Sequence, residues 1–156
     1  MTALIYSVVI LHGAQVNAEK PKAENARVKA LFDSMHAGKY EGVTFPKLEL
    51  ADVPALLERA DSTKRLASFP SNPISSHFNK ECSEGTMALW LVEGIRKGGK
   101  FASLNPRGAK DGVKEADALQ KEMAKAYRAW WDKAKSLPAA EATAIDPLKD
   151  TGISWR

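Results

Sequence analysis

Residues 87–92 form an unbroken apolar run, Met-Ala-Leu-Trp-Leu-Val, flanked by Thr86 and Glu93. Periodicity alone fits a buried strand or a buried helix to so short a run. Residue types separate them. Met, Ala, Leu and Glu favour helix, only Val92 and Ile95 are β-branched, and Gly98-Gly99 supplies a stop just beyond. The run therefore predicts a helix over residues 83–97. A helix this apolar has no wide polar stripe to turn toward water, so other elements must contact it on several sides. The rest of the chain has to wrap one apolar axis, with the loop before it folded over its start.

Enough material exists to do so. The chain has 156 residues, 44% of them hydrophobic, which supports one domain with a substantial core. Charged residues make up 27%, the proportion of ordinary folded proteins, so most of the length is expected to be ordered. Cys82 is the one cysteine, so no intramolecular disulfide can form. That suits a reducing compartment, or an exported domain large enough to need no covalent staple.

The first residues favour export. Residues 1–18 contain no Asp, Glu, Lys or Arg, and residues 3–11 are nearly all apolar. Val16-Asn17-Ala18 then has the small-residue pattern of a signal-peptidase site before Glu19. The run is too short to span a bilayer. Residues 1–18 read as a signal peptide with its basic n-region truncated, and 19–156 as a single helical domain with an irregular tail. The corresponding location is periplasmic or extracellular; without a signal peptide it would be cytoplasmic.

Four main helices are expected. In residues 21–38, Pro21 opens a helix whose Val28, Leu31, Phe32 and Met35 share one stripe, and Gly38 stops it. Residues 40–49 read as an extended linker interrupted by Pro46. Asp52 then stands as N-cap with Pro54 in the first turn, starting a helix that fades near Leu66. Pro70 and Pro73 hold Phe69 and Asn72 extended, which opens a long proline-rich loop. After the central helix, residues 98–112 read as loop, anchored by Phe101 and Leu104. The longest helix, residues 113–137, carries Ala116, Leu119, Met123, Tyr127, Trp130, Ala134 and Leu137 on one face, so only one of Trp130 and Trp131 can point fully inward. Residues 139–144 are low in complexity, and the tail should return Trp155 to the body. Fold class is all-α: a small bundle, or a short α-solenoid if the two helix pairs stack.

Chemistry is sparse. Ser75, Ser76, His77, Cys82 and Glu84 lie within ten positions, and with Asn72 they form the best candidate binding surface. Ser75, His77 and Cys82 are weak catalytic candidates, since a Cys–His pair needs a contact that spacing cannot provide. A small buried hydrophobe is the commoner fate of a single cysteine. His12, His36 and His77 are isolated, with no metal-ligand spacing, and nothing implies a cofactor. Glu93 interrupts the apolar helix and Arg96, three residues on, is its natural structural partner. From 96 to 135 eleven basic residues (Arg96, Lys97, Lys100, Arg107, Lys110, Lys114, Lys121, Lys125, Arg128, Lys133, Lys135) face five acidic ones (Asp111, Glu115, Asp117, Glu122, Asp132), a balance of 11 − 5 = +6. Such a surface suits nucleic acid or an acidic polymer. Its charges alternate in sign as on any solvated helix, which argues against nucleic acid.

The segments FPSNPISS, ECSEGTMALWLVEGIR and FASLNP resemble a family of uncharacterised, helical, exported proteins of Bacteroidetes and Planctomycetes, a domain of unknown function. DVPALLERAD is similar to the first helix of a HEAT-like pair, and AYRAWWDKAK and DPLKDTGISW to the close of such planctomycete chains. The resemblance covers about residues 52–155. It implies a helical fold and export, and no activity. Taken together, the sequence favours a non-enzymatic exported binding or scaffold module that holds a protein or polymer with residues 69–84. The alternatives are a cysteine- or serine-based hydrolase centred on residues 75–84, and a binder of nucleic acid or acidic polymer through 96–135.

Overall fold

The apolar run lies inside α3, Glu84–Arg96, and every residue of that helix from Glu84 to Ile95 is buried except Thr86. The structure, a computed structural model, describes residues 22–70 and 81–156. In chain order it runs through α1 (Lys22–His36), a 3₁₀ turn (Leu50–Asp52), α2 (Val53–Leu57), α3, β1 (Gly108–Lys110), α4 (Ala116–Ala134), α5 (Ala139–Ala144) and β2 (Ile153–Trp155). Ser83 starts α3 as its N-cap, its Oγ accepting from Thr86 N at 3.1 Å. α2 and α4 both pack on α3, and α5 closes over its C-terminal end.

Two glycines let the neighbours come close. A methyl group on Gly85 would collide with the Ala60 carbonyl and the Gln120 amide, and one on Gly94 with the Phe45 ring. Trp90, 1% exposed, donates from Nε1 to Ser103 Oγ at 2.9 Å. Its ring stacks on Phe101 at 4.9 Å, and Phe101 in turn meets Phe45 edge-on at 5.7 Å. Those contacts hold both flanking loops against the central helix.

Glu93 is the exception within the apolar axis, and it is 3% exposed. Arg96 donates to it twice, from Nε at 2.9 Å and Nη2 at 2.6 Å, and Tyr127 donates its hydroxyl at 2.8 Å. Burial first, then the adjacent carboxylate, pushes the Tyr127 phenol well above its ordinary value, so it stays a neutral donor. The same hydroxyl accepts from Trp155 Nε1 at 2.8 Å. Arg96 Nη1 reaches the Thr143 carbonyl at 3.1 Å, and Trp130 Nε1 the Ala142 carbonyl at 3.0 Å. One buried carboxylate thus gathers α4, α5 and the tail. Trp130 is the inward member of its pair, and Trp131 is half-buried.

The fold is largely helical, and the all-α expectation takes one correction. β1 and β2 form an antiparallel pair in which Gly108 faces Trp155, Ala109 faces Ser154 and Lys110 faces Ile153. Four further differences have local causes. α2 ends at Leu57 rather than near Leu66: beyond it the backbone tightens, Arg59 N bonding to Leu56 O and Ala60 N to Leu57 O, and the Ala60 and Ser62 carbonyls that a longer helix would use are taken by Gln120 Nε2 and, at Ser62, by Gly85 N. Asp52 does not cap α2 through its side chain; its Oδ2 turns back to Glu49 N at 3.0 Å. Residues 139–144 are the helix α5, which alanine propensity and the preceding Pro138 support. Phe101 packs inward, whereas Leu104 is 66% exposed and anchors nothing.

Burial of Trp90 on all sides predicts that Trp90→Ala costs about 3–5 kcal/mol. Val43→Ala, at a side chain 86% exposed, should stay within about 0.5 kcal/mol of the parent. Urea midpoints of both variants against the parent check the contrast.

Candidate ligand-binding groove

Of the candidate residues read from the sequence, Asn72, Ser75, Ser76 and His77 lie outside the described residues, as do residues 1–18. Cys82 and Glu84 are described, and they diverge. Cys82 is 3% exposed, with its Sγ 3.4 Å from the Ser83 carbonyl. Burial pushes its thiol up to about 12, against a smaller opposing effect of Arg65. A thiol so placed is protonated at neutral pH and is a poor nucleophile.

Glu84 turns the other way, into a polar cluster built from three elements. Arg59 and Ser62, from the turn after α2, both donate to it, Ser62 at 2.8 Å, and His36 Nε2 from α1 lies 3.5 Å away. Burial alone would raise the Glu84 carboxyl, yet the Ser62 and Arg59 hydrogen bonds and the positive charge nearby hold it below its usual range. Arg59 also lies over the Phe32 ring, 4.9 Å from its centroid. Glu84 is therefore an ionised anchor joining α1, α2 and α3, with both carboxylate oxygens engaged by neighbours.

A second polar group sits one step away. Ser83 Oγ donates to Gln120 Oε1 at 2.5 Å, Thr86 Oγ1 reaches the same oxygen at 3.1 Å, and Gln120 Nε2 carries the two bonds to the Ala60 and Ser62 carbonyls. Gln120 is 3% exposed. Its sequence position gave one faint signal, a polar residue directly after Leu119 on the apolar side of the longest helix.

Beside this group opens a groove of about 660 Å³. Residues 81–83 and Thr86 form one wall, the whole of β1 with its flanking turns forms the other, and Leu119, Gln120 and Met123 of α4 form the floor. Its lip is charged in both signs, with Arg107, Lys114 and Arg156 against Asp111, Glu115 and Asp117. Cys82 lines the inner wall. The sequence reading placed the surface on residues 69–84; among the described residues the groove shares 81–83 with it and takes most of its lining from 105–117.

The basic stretch 96–135 is not one continuous free surface. Arg96 and Lys97 are spent on Glu93, Lys110 on Glu122, Arg128 on Asp61 and Lys135 on Asp132. Among the described residues no group of His, Cys, Asp and Glu is arranged to hold a metal ion, and no helix is long and apolar enough to cross a membrane.

The described elements define a small helical domain with a two-stranded antiparallel pair and a polar groove beside it. The chain belongs to the family described as a domain of unknown function (DUF4943), whose model matches residues 22–156. No curated protein and no solved structure matches it.

The burial of Cys82 carries a direct expectation. In the folded protein its thiol should react with a disulfide reagent at mildly alkaline pH roughly 100-fold more slowly than in denaturing urea. Rapid stoichiometric labelling of the native protein would place the sulfur at the surface instead.

Proposed function

We propose that this protein is a non-enzymatic binding module that holds a protein or polymer ligand in the groove between residues 81–83 and β1. The observation that carries the reading is the groove itself: wide, polar, charged at the lip, and walled by elements that the core fixes in place. The one thiol in its lining is buried and its protonation suits packing rather than attack, which weighs against a hydrolase using Cys82. Glu84 and Gln120 spend their polar atoms on joining helices, as a rigid scaffold for a binding surface requires.

Export to the periplasm or beyond belongs to the same proposal, supported by the uncharged, apolar start of the sequence and its Val-Asn-Ala pattern. So do a bacterial origin and a HEAT-like pairing, for which the contacts of α1 with α2 and of α3 with α4 are the support.

The test is site-specific photocrosslinking in the native host. A benzophenone amino acid at Lys114, on the groove lip, should trap a discrete adduct, and the same group at Lys133, exposed outside the groove, should not. No adduct at Lys114, or equal yields at both positions, contradicts the assignment of the groove as the binding surface.

A further inference from the structure

The groove runs along a strand edge, and the pleat of the β1–β2 pair shows which backbone groups face it. Arg156 N donates to Arg107 O at 2.9 Å, continuing the register in which Gly108 faces Trp155 and Lys110 faces Ile153. In an antiparallel pair, hydrogen-bonded and non-hydrogen-bonded positions alternate. Arg107 and Ala109 therefore bond across to β2, while the N–H and C=O of Gly108 and the N–H of Lys110 point away from it. The Lys110 carbonyl is already taken by Val113 N at 3.2 Å. All three residues of β1 line the groove and none of the three β2 residues does, so the groove lies along this outward edge.

Side chains around that edge are equally specific. The α carbon of Gly108 is packed against α4, since a methyl there would meet Met123 Sδ and then Leu119. Arg107 and Arg156 are cross-strand neighbours, and both line the groove. Neither has a carboxylate partner among the described residues. Like charges placed opposite one another on a sheet repel, and an anion beside them relieves the repulsion.

Building on the reading of the groove as the binding surface, we propose that its ligand is an extended peptide segment of a partner protein, added as an antiparallel strand to the free edge of β1 and recognised by an apolar residue followed directly by an acidic one. The apolar residue pairs with Gly108, exchanging two backbone hydrogen bonds with it, and its side chain rests on Leu119 and Met123. The next residue then lies opposite Arg107 and on the same face, so that its carboxylate meets the Arg107–Arg156 pair. Strand addition of this kind takes affinity from main-chain hydrogen bonds and specificity from alternate side chains. The antiparallel direction gives the better-aligned hydrogen bonds.

The experiment measures fluorescence anisotropy of the full chain with fluorescein-labelled, C-terminally amidated heptapeptides of Ser and Thr that carry Leu-Glu, Leu-Lys or Ser-Glu at the fifth and sixth positions. Leu-Glu should bind at least about tenfold more tightly than either other pair. N-methylation of the leucine amide should remove binding, because that N–H donates to Gly108. Arg107→Glu should reverse the preference toward Leu-Lys, a gain that a misfolded variant cannot give. Equal binding of Leu-Glu and Leu-Lys overturns the proposal, as does indifference to N-methylation. So does binding only by a peptide with a free terminal carboxylate, which would make the groove a reader of chain ends. Self-association of the chain that is lost in Arg107→Glu, with no peptide bound, would make a second copy the occupant and likewise overturn it. Should the peptides fail while the Lys114 crosslink persists, the groove remains the binding surface and only its peptide ligand is wrong; failure of both removes the groove as well.

Discussion

A carboxylate buried in an apolar helix has to be met by donors, and Glu93 dictates much of the arrangement around it. Two donors from Arg96 and one from Tyr127 satisfy it, and removing either partner would leave a desolvated charge. Because Arg96 and Tyr127 are themselves held by Thr143 and Trp155, the carboxylate fixes elements far apart in sequence. α4 cannot slide along α3, and the tail cannot leave, without breaking that group. The β1–β2 pair is held by the same contact, since Trp155 belongs to β2.

Gln120 does the corresponding work at the other end of α3. It ties the Ser83 cap to the turn after α2, and Gly85 provides the close approach that this needs. The central helix is thus pinned at both ends by polar side chains and packed along its length by aromatic and aliphatic ones. Between the Gln120 end and β1 lies the groove. Both walls are tied to the core: one is the capped start of α3, and the other is β1, paired with a β2 strand whose Trp155 bonds to Tyr127 of the Glu93 group.

Local pattern made some of this legible and left the rest hidden. The apolar run of α3, the Val28–Phe32–Met35 stripe of α1 and the long face of α4 were readable, because side-chain periodicity within one helix encodes them. The turns after α2 were not, since their carbonyls are taken by Gln120, sixty residues beyond Ala60 in the chain. Strands of three residues carry almost no alternation, so the β1–β2 pairing was invisible until the tail was seen lying beside residues 108–110. The two described members of the candidate site part for the same reason. Cys82 and Glu84 are two residues apart yet serve different surroundings, while Arg107 and Arg156 meet only through the long-range pairing of β1 with β2. Proximity in sequence brought together residues that the fold separates.

If α3 is the axis on which the other elements depend, its backbone cannot open while they remain folded. Native-state hydrogen exchange tests this most directly. The amides of residues 87–92 should exchange only through global unfolding, with the full denaturant dependence of that transition, and none in α4 should outlast them. Exchange of residues 87–92 through a smaller opening, with the α4 amides still protected, would show that the molecule is built around a different element.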